Sequence, residues 1–293
     1  MGKTIIHIGY HKTGTTWFQH ILYPKMTNYK FCRSDIIRKY FIDIRPFDFD
    51  PNIAKEAFKS DEDLLLSDEE LSGNMHNGGL NGYLSFEIAN RLKKVFPQAI
   101  IVIFIRNQWD IIASCYRQYI KEGGTYNITK YCNSKQYPIH REATFSFEHF
   151  KYDMLINHYQ SLFDNVLVYR YEDFREHSEK FVESYIDELG IEIDGTINYS
   201  QQKNVGYSNK LLRLARVLNE FTRKKTNNKH YLIHIPKYYE FSRTKINQIA
   251  PLFKGSKSSK ELLGSDLFSY INGYYKASNR NLSSNLCIDG YPQ

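Results

Sequence analysis

The densest chemistry in the chain lies in Gly9-Tyr10-His11-Lys12-Thr13-Gly14-Thr15-Thr16-Trp17. An apolar stretch, Thr4 to Ile8, precedes this string, and a run with apolar Trp17, Phe18 and Leu22 follows it. A loop between a buried strand and a helix turns free backbone N–H groups and the positive helix end toward one point, where a phosphate fits. Thr13, Thr15 and Thr16 add hydroxyl donors, and Lys12 adds a mobile positive charge. The string is not the nucleoside-triphosphate loop G-x-x-x-x-G-K-[ST], which places lysine directly after the second glycine. Thr15 holds that place here, and Lys12 stands two residues before Gly14. A kinase would lose its lysine contact to the β- and γ-phosphates. The plain alternative is a Gly-Thr turn with an exposed lysine, and the flanking strand and helix weigh against it.

A second anion-binding candidate is Arg106, at the end of the apolar run Ala99 to Ile105. Ser114 follows eight residues later. Asp110, Ser114, Gln118 and Lys121 form a polar stripe opposite Trp109, Ile112, Tyr116 and Tyr119. For Gln118 and Lys121 a solvated face is expected. Arginine at the C-terminus of a parallel strand stands where α/β folds bind ligands. Its fork can hold a phosphate through two parallel hydrogen bonds.

Acid chemistry is concentrated in Ser67-Asp68-Glu69-Glu70, after Leu64-Leu65-Leu66. These acids can cap the following helical turn. One of them can also accept a proton, given reach and a suitable pKa. Glu69 is the first candidate, Asp68 the second and His76 the third. His7, His11 and His20 are scattered; His11 borders the first loop, where a packing or surface role is expected. No metal-ligand spacing is evident.

The Lys-Thr-Gly-Thr-Thr-Trp string resembles the 5'-phosphosulfate loop of sulfotransferases that use 3'-phosphoadenosine 5'-phosphosulfate (PAPS). Arg106-Asn107 with Ser114 resembles that family's 3'-phosphate motif, with Gln108 where the family often has proline. Tyr169-Arg170-Tyr171-Glu172-Asp173-Phe174 is similar to the family's Tyr-Glu-Asp segment. Lys203-Asn204-Val205-Gly206, Ser278-Asn279-Arg280-Asn281-Leu282 and Gly290-Tyr291-Pro292 resemble parts of bacterial members, with Gly206 where serine is common. The likeness runs in order over nearly the whole chain, but residues 25 to 60 and 123 to 145 match no pattern.

The resemblance implies that Lys12 contacts the bridging and sulfuryl oxygens and that Thr13, Gly14, Thr15 and Thr16 form the 5'-phosphate loop. Trp17 would stack on adenine, Tyr171 would touch the base, and Arg106 and Ser114 would grip the 3'-phosphate. Asn204 would add a donor contact. It further implies in-line transfer from PAPS to a hydroxyl or amine, leaving adenosine 3',5'-bisphosphate (PAP), with Glu69 as the base and no metal. A saccharide acceptor is favoured by the bacterial likeness.

The elements that must position these groups follow from hydrophobic periodicity. Strands are predicted at Thr4–Ile8, Asp63–Ser67, Ala99–Ile105 and Val166–Tyr169. Helices are predicted from Thr15 to before Pro24 and over 83–94, 108–121, 175–189, 208–224, 244–253 and 260–276. Continuous apolar strands alternating with helices predict a parallel sheet covered on both faces. The expected fold is therefore a three-layer α/β sandwich, and the resemblance makes it P-loop NTPase-like. Residues 123–143 read as a lid or substrate loop and Lys254–Lys260 as a flexible surface loop. No domain boundary or repeat is visible, so residues 1–293 read as one domain.

The 293 residues, with 42% hydrophobic and 24% charged, allow such a core. A net charge of +7 suits an anionic ligand. Four cysteines without a C-x-x-C pair fit reduced thiols and a cytoplasmic location. The longest apolar run is too short for a bilayer, and the N-terminus does not read as a signal peptide. Two rival readings remain. One is a P-loop small-molecule kinase using ATP, with Asp68 on magnesium. The other is a nucleic-acid-binding protein, suggested only by charge and abundant tyrosine; no nucleic-acid motif supports it.

Overall fold

The computed structural model describes residues 2–132, 144–199, 207–222, 231–253, 255–286 and 288–292. At its centre lie five parallel strands: β1 (Thr4–His7), β2 (Tyr29–Cys32), β3 (Asp63–Ser67), β4 (Ile100–Ile105) and β5 (Asn165–Arg170). Their order is β2-β3-β1-β4-β5. In register, Ile5 stands beside Leu65 on one side and Ile100 on the other. Successive side chains of a strand point to opposite faces, and the core divides accordingly. Ile6, Ile8, Leu64, Leu66, Ile101, Ile103 and Ile105 belong to one apolar cluster. Ile5, Leu65, Val102 and Phe104 belong to the other. Because both faces are buried, the strands read as unbroken apolar runs rather than alternating ones.

The helices, in chain order, are α1 (Thr15–Trp17, continued by a wide turn over Phe18–Leu22), α2 (Ser34–Ile37), α3 (Pro51–Ala57), α4 (Tyr83–Val95), α5 (Gln108–Lys121), α6 (Ile128–Cys132), α7 (Tyr152–Leu162), α8 (Tyr171–Glu176), α9 (Ser178–Leu189), α10 (Asn209–Leu218), α11 (Tyr238–Ile249) and α12 (Ser259–Leu286). Phe18 and Leu22 of the α1 stretch and Val182, Tyr185 and Leu189 of α9 cover one face of the sheet. Ile88 and Leu92 of α4, Ile112 and Tyr119 of α5, Ile156 of α7 and Tyr275 of α12 cover the other. This is the expected three-layer α/β sandwich. Each fully buried Leu, Ile or Phe contributes about 1.5–3 kcal/mol.

The central strand β1 has β3 on one side and β4 on the other, so sheet growth reverses direction there. At such a switch point the loops after neighbouring strands part and leave a crevice at the strands' C-terminal ends. The loop after β1, the acidic turn after β3 and Arg106 after β4 all open onto that edge.

Several elements differ from expectation. β2 was not anticipated: its four residues alternate only partly in burial and carry no flanking turn signal. The helix expected over 175–189 is two helices meeting at His177, and the first begins at Tyr171. The C-terminal helix runs on to Leu286, broken at Gly264, whose φ of 77° is left-handed. The stretch expected as a free loop at Lys254–Lys260 is anchored in its described part. Arg117 donates to the Lys257 carbonyl at 2.7 Å and Asn209 to that of Ser258 at 3.1 Å. Ser259 is buried and already helical. Within 123–143, Ile128–Cys132 is helical, with Tyr131 and Cys132 buried; the remainder from 133 lies outside the described residues.

Candidate active site

The first loop keeps to the sheet before it leaves it. Ile8 N–H and Tyr10 N–H donate to the Val102 and Phe104 carbonyls of β4, at 2.9 and 3.1 Å. Lys12 then takes a left-handed φ of 66° and Gly14 one of 90°. A left-handed conformation costs a side-chain-bearing residue roughly 1–2 kcal/mol, and strain of this kind concentrates at ligand-binding turns. Gly14 relieves it at its own position and also allows close packing. A Cβ there would meet the Phe174 and Tyr171 rings at 3.2 and 3.3 Å. The Thr13 hydroxyl is buried and donates to the Tyr10 carbonyl, so it braces the loop. Thr15 Oγ1 is buried without a partner. The amides of Thr15 and Thr16 open the helix, where backbone N–H groups have no intrahelical acceptor.

Arg106 reaches this loop directly. Its Nη1 donates to the Lys12 carbonyl at 2.9 Å, and its guanidinium lies over the Tyr171 ring, 4.7 Å from the centroid. Nη2 stands 3.6 Å from Asp110 Oδ2, and Nε is buried without a partner. Asp110 also accepts from Ser259 Oγ at 2.5 Å and pairs with Arg175 at 3.5 Å. Ser114, half-buried, follows Asp110 one turn later on the same stripe. One turn further, Gln118 Oε1 accepts from Lys12 Nζ at 2.9 Å, while its Nε2 donates to Glu122 at 2.7 Å. Gln118 is therefore part of the site and not of a solvated face; its four-residue spacing from Ser114 was the signal. Trp17 packs on Phe174 and lies nearly parallel to Tyr199, with centroids 6.1 Å apart. Nothing in the sequence singled out Tyr199.

The structure thus brings together Lys12, Thr13, Gly14, Thr15, Thr16, Trp17, Arg106, Tyr171 and the α5 stripe with Ser114. Asn204 lies outside the described residues. The unusual Gln108 is explained by the C-terminal segment: it is buried and donates to Asn279 at 2.6 Å. Asn279 in turn donates to the Pro292 carbonyl at 2.8 Å. Together with Tyr291 against Glu172 at 3.4 Å, the two terminal motifs fix the start of α5.

Residues 83–195 match the model of a family described as the sulfotransferase family. That span includes Arg106, Ser114 and Tyr171. Within that span the chain is similar to the sulfotransferase family. A sulfotransferase structure from Alicyclobacillus acidocaldarius is similar over 99% of this chain and 98% of its own, with a TM-score of 0.59 and 12% identity. That likeness supports the fold. A mouse sulfotransferase, SULT7A1 complexed with PAP, aligns over 93% of this chain and 89% of its own, with a TM-score of 0.39 and 13% identity. No curated protein sequence matches.

The acidic turn after β3 divides into unlike carboxylates. Asp68 is fully buried and held by Arg38 through Nε at 2.7 Å and Nη2 at 3.1 Å. It also caps the turn by accepting from Glu70 N–H at 2.8 Å. Asp68 is therefore structural, which corrects its place as second candidate base and removes the residue that the ATP reading assigned to magnesium. Glu69 accepts a long hydrogen bond from Gln19 at 3.4 Å. Glu70 Oε1 stands 3.3 Å from His11 Nε2. Burial raises the Glu70 pKa, but the His11 contact first, and then the charges of His11 and Arg38, outweigh it and leave the carboxyl below its usual range.

His76 sits on the same side. Its Nδ1 is 2.6 Å from the Tyr131 hydroxyl. Burial first, then the charges of His11 and Lys12, lowers its pKa to about 4 against an opposing pull from Glu70. It is neutral at ordinary pH. The loop carrying it is costly: Gly78, Gly79, Leu80, Asn81 and Gly82 all have φ between 49° and 88°. Among the described residues no group of three or more His, Cys, Asp or Glu could hold a metal, and no helix is long and apolar enough to cross a membrane.

Proposed function

We propose that this protein is a sulfotransferase that moves a sulfuryl group from PAPS to a hydroxyl or amine of an acceptor, a saccharide or another small metabolite, leaving PAP. The observation that carries the reading is the 2.9 Å bond from Arg106 to the Lys12 carbonyl. It ties the loop after β1 to the arginine at the end of β4, the two elements assigned to the donor's two phosphates. Unpartnered buried polar atoms on both, Thr15 Oγ1 and Arg106 Nε, fit that ligand.

When bound, the donor supplies an activated sulfuryl group on a good leaving phosphate. Thr13 braces the loop whose Gly14, Thr15 and Thr16 amides would hold the 5'-phosphate. Arg106 and Ser114 would hold the 3'-phosphate, and Asn204 is assigned a donor contact by family likeness. Trp17, backed by Phe174, offers a half-buried aromatic face to adenine, with Tyr171 beside it. Lys12, parked on Gln118, is free to turn toward the bridging oxygen. There its charge would stabilise the leaving phosphate, by the same electrostatic positioning as in phosphoryl transfer. The acceptor's proton passes to a carboxylate of the turn after β3, with Glu69 as the residue marked by sequence. No metal takes part in this scheme.

We assign all 293 residues to one domain and the protein to the cytoplasm, where the free thiols of Cys32, Cys115 and Cys132 persist. The test is incubation of the protein and PAPS with a cell extract, followed by mass spectrometry. The reading expects a PAPS-dependent gain of one SO3 on a discrete product; no such product, together with phosphate transfer from ATP, would favour the kinase.

A further inference from the structure

The loop after β1 and the turn after β3 meet at a contact between His11 and Glu70. His11, the neighbour of Lys12, is 8% exposed at its side chain, and its Nε2 lies 3.3 Å from Glu70 Oε1. The Glu70 carboxylate is about a third exposed, with its side chain 34% accessible. A buried imidazole thus holds a carboxylate that still reaches solvent. Neither His11 ring nitrogen makes a well-aligned hydrogen bond, and Glu70 is the carboxylate within ion-pair distance of Nε2. The charges of Glu70, His11 and Lys12 all influence the His76 imidazole. The described contact of Glu69 is Gln19, on the α1 stretch.

We propose that Glu70, held by His11, takes the proton from the acceptor in place of Glu69, with His11 as its positioning residue. This rests on the sulfuryl-transfer reading. In the step, the acceptor oxygen forms a bond to sulfur as the bond from sulfur to the bridging oxygen breaks. That electron pair leaves on the 5'-phosphate of PAP, and the acceptor's proton moves to the Glu70 carboxylate. Its lowered pKa keeps Glu70 ionised and able to accept at neutral pH. A weak base suffices, because the acceptor proton becomes strongly acidic as its oxygen bonds to sulfur.

The test uses the full chain with PAPS, and reads PAP release with water as the acceptor, alongside PAP affinity by calorimetry. Glu70→Gln should lower PAP release by about 100-fold, the usual worth of a general base, while PAP affinity stays within about threefold. His11→Ala should lower release by about tenfold through misplacement, and His11→Gln, which keeps a side-chain donor, should recover most of it. Glu69→Gln damaging release more than Glu70→Gln would overturn the assignment. So would parallel loss of PAP affinity and release in Glu70→Gln, the mark of a merely structural clamp. A wild type that fails to bind PAP refutes the sulfuryl-transfer reading itself, and one that binds PAP but leaves PAPS intact counts against both.

Discussion

Replacing Arg106 by alanine separates the two phosphates of PAP. The guanidinium is mostly buried and already oriented by the Lys12 carbonyl, the Tyr171 ring and Asp110. Little side-chain freedom therefore remains to be lost when a phosphate arrives. Two charge-assisted hydrogen bonds at about 1.5 kcal/mol each give roughly 3 kcal/mol, or about 100-fold in affinity. The same substitution also removes the bond to the loop carbonyl, worth about 1 kcal/mol, so every ligand of the loop loses about fivefold. PAP should therefore weaken by several hundred-fold in order of magnitude, and 5'-AMP, which lacks the 3'-phosphate, by only about fivefold. Calorimetric titration of both ligands at one fixed ionic strength measures the ratio. Arg106→Lys should fall between, since it keeps the charge and loses the fork. Equal losses for PAP and 5'-AMP would refute the assignment of Arg106 to the 3'-phosphate.

Three further outcomes follow from the same geometry. Lys12→Ala should cut PAPS turnover by about 100- to 1,000-fold while PAP affinity falls less than about tenfold, measured by single-turnover kinetics beside calorimetry. Asp68→Asn should cost about 2–3 kcal/mol in urea unfolding, because it weakens a fully buried partner of Arg38 and a turn cap; the figure is moderated by the 40% exposure of Arg38. Stability should also fall on acidification. Burial holds His7, His149 and His76 at about 3, 3 and 4, with nearby imidazolium charge adding to the effect at the last two. The unfolded chain binds these protons near the ordinary value of 6.5, so it takes up more protons than the folded one between 6.5 and 4. Each imidazole then steepens the loss by up to about 1.4 kcal/mol per pH unit, which urea unfolding at pH 7 and pH 5 would show.

The sheet was legible wherever burial wrote an unbroken apolar run, as in Leu64–Leu66 and Ile100–Ile105. It was not legible at β2, because an edge strand of four residues can be half exposed and need not announce itself. The loop from Gly9 to Trp17 was readable because its position between strand and helix constrains what its residues can do. The roles of Gln118 and Asp68 were not readable. Both are polar side chains whose partners, Lys12 and Arg38, come from distant sequence positions, and only the closed sheet brings them within reach. Gln108 shows the same limit: a departure from the family pattern became intelligible once Asn279 stood opposite it.

The most direct test of the central claim is a crystal structure of the protein with PAP. The account predicts the 5'-phosphate on the amides of Gly14, Thr15 and Thr16 and the 3'-phosphate on Arg106 and Ser114, with the ribose between them. A bisphosphate seated elsewhere, or held with Arg106 turned away from it, would contradict the account.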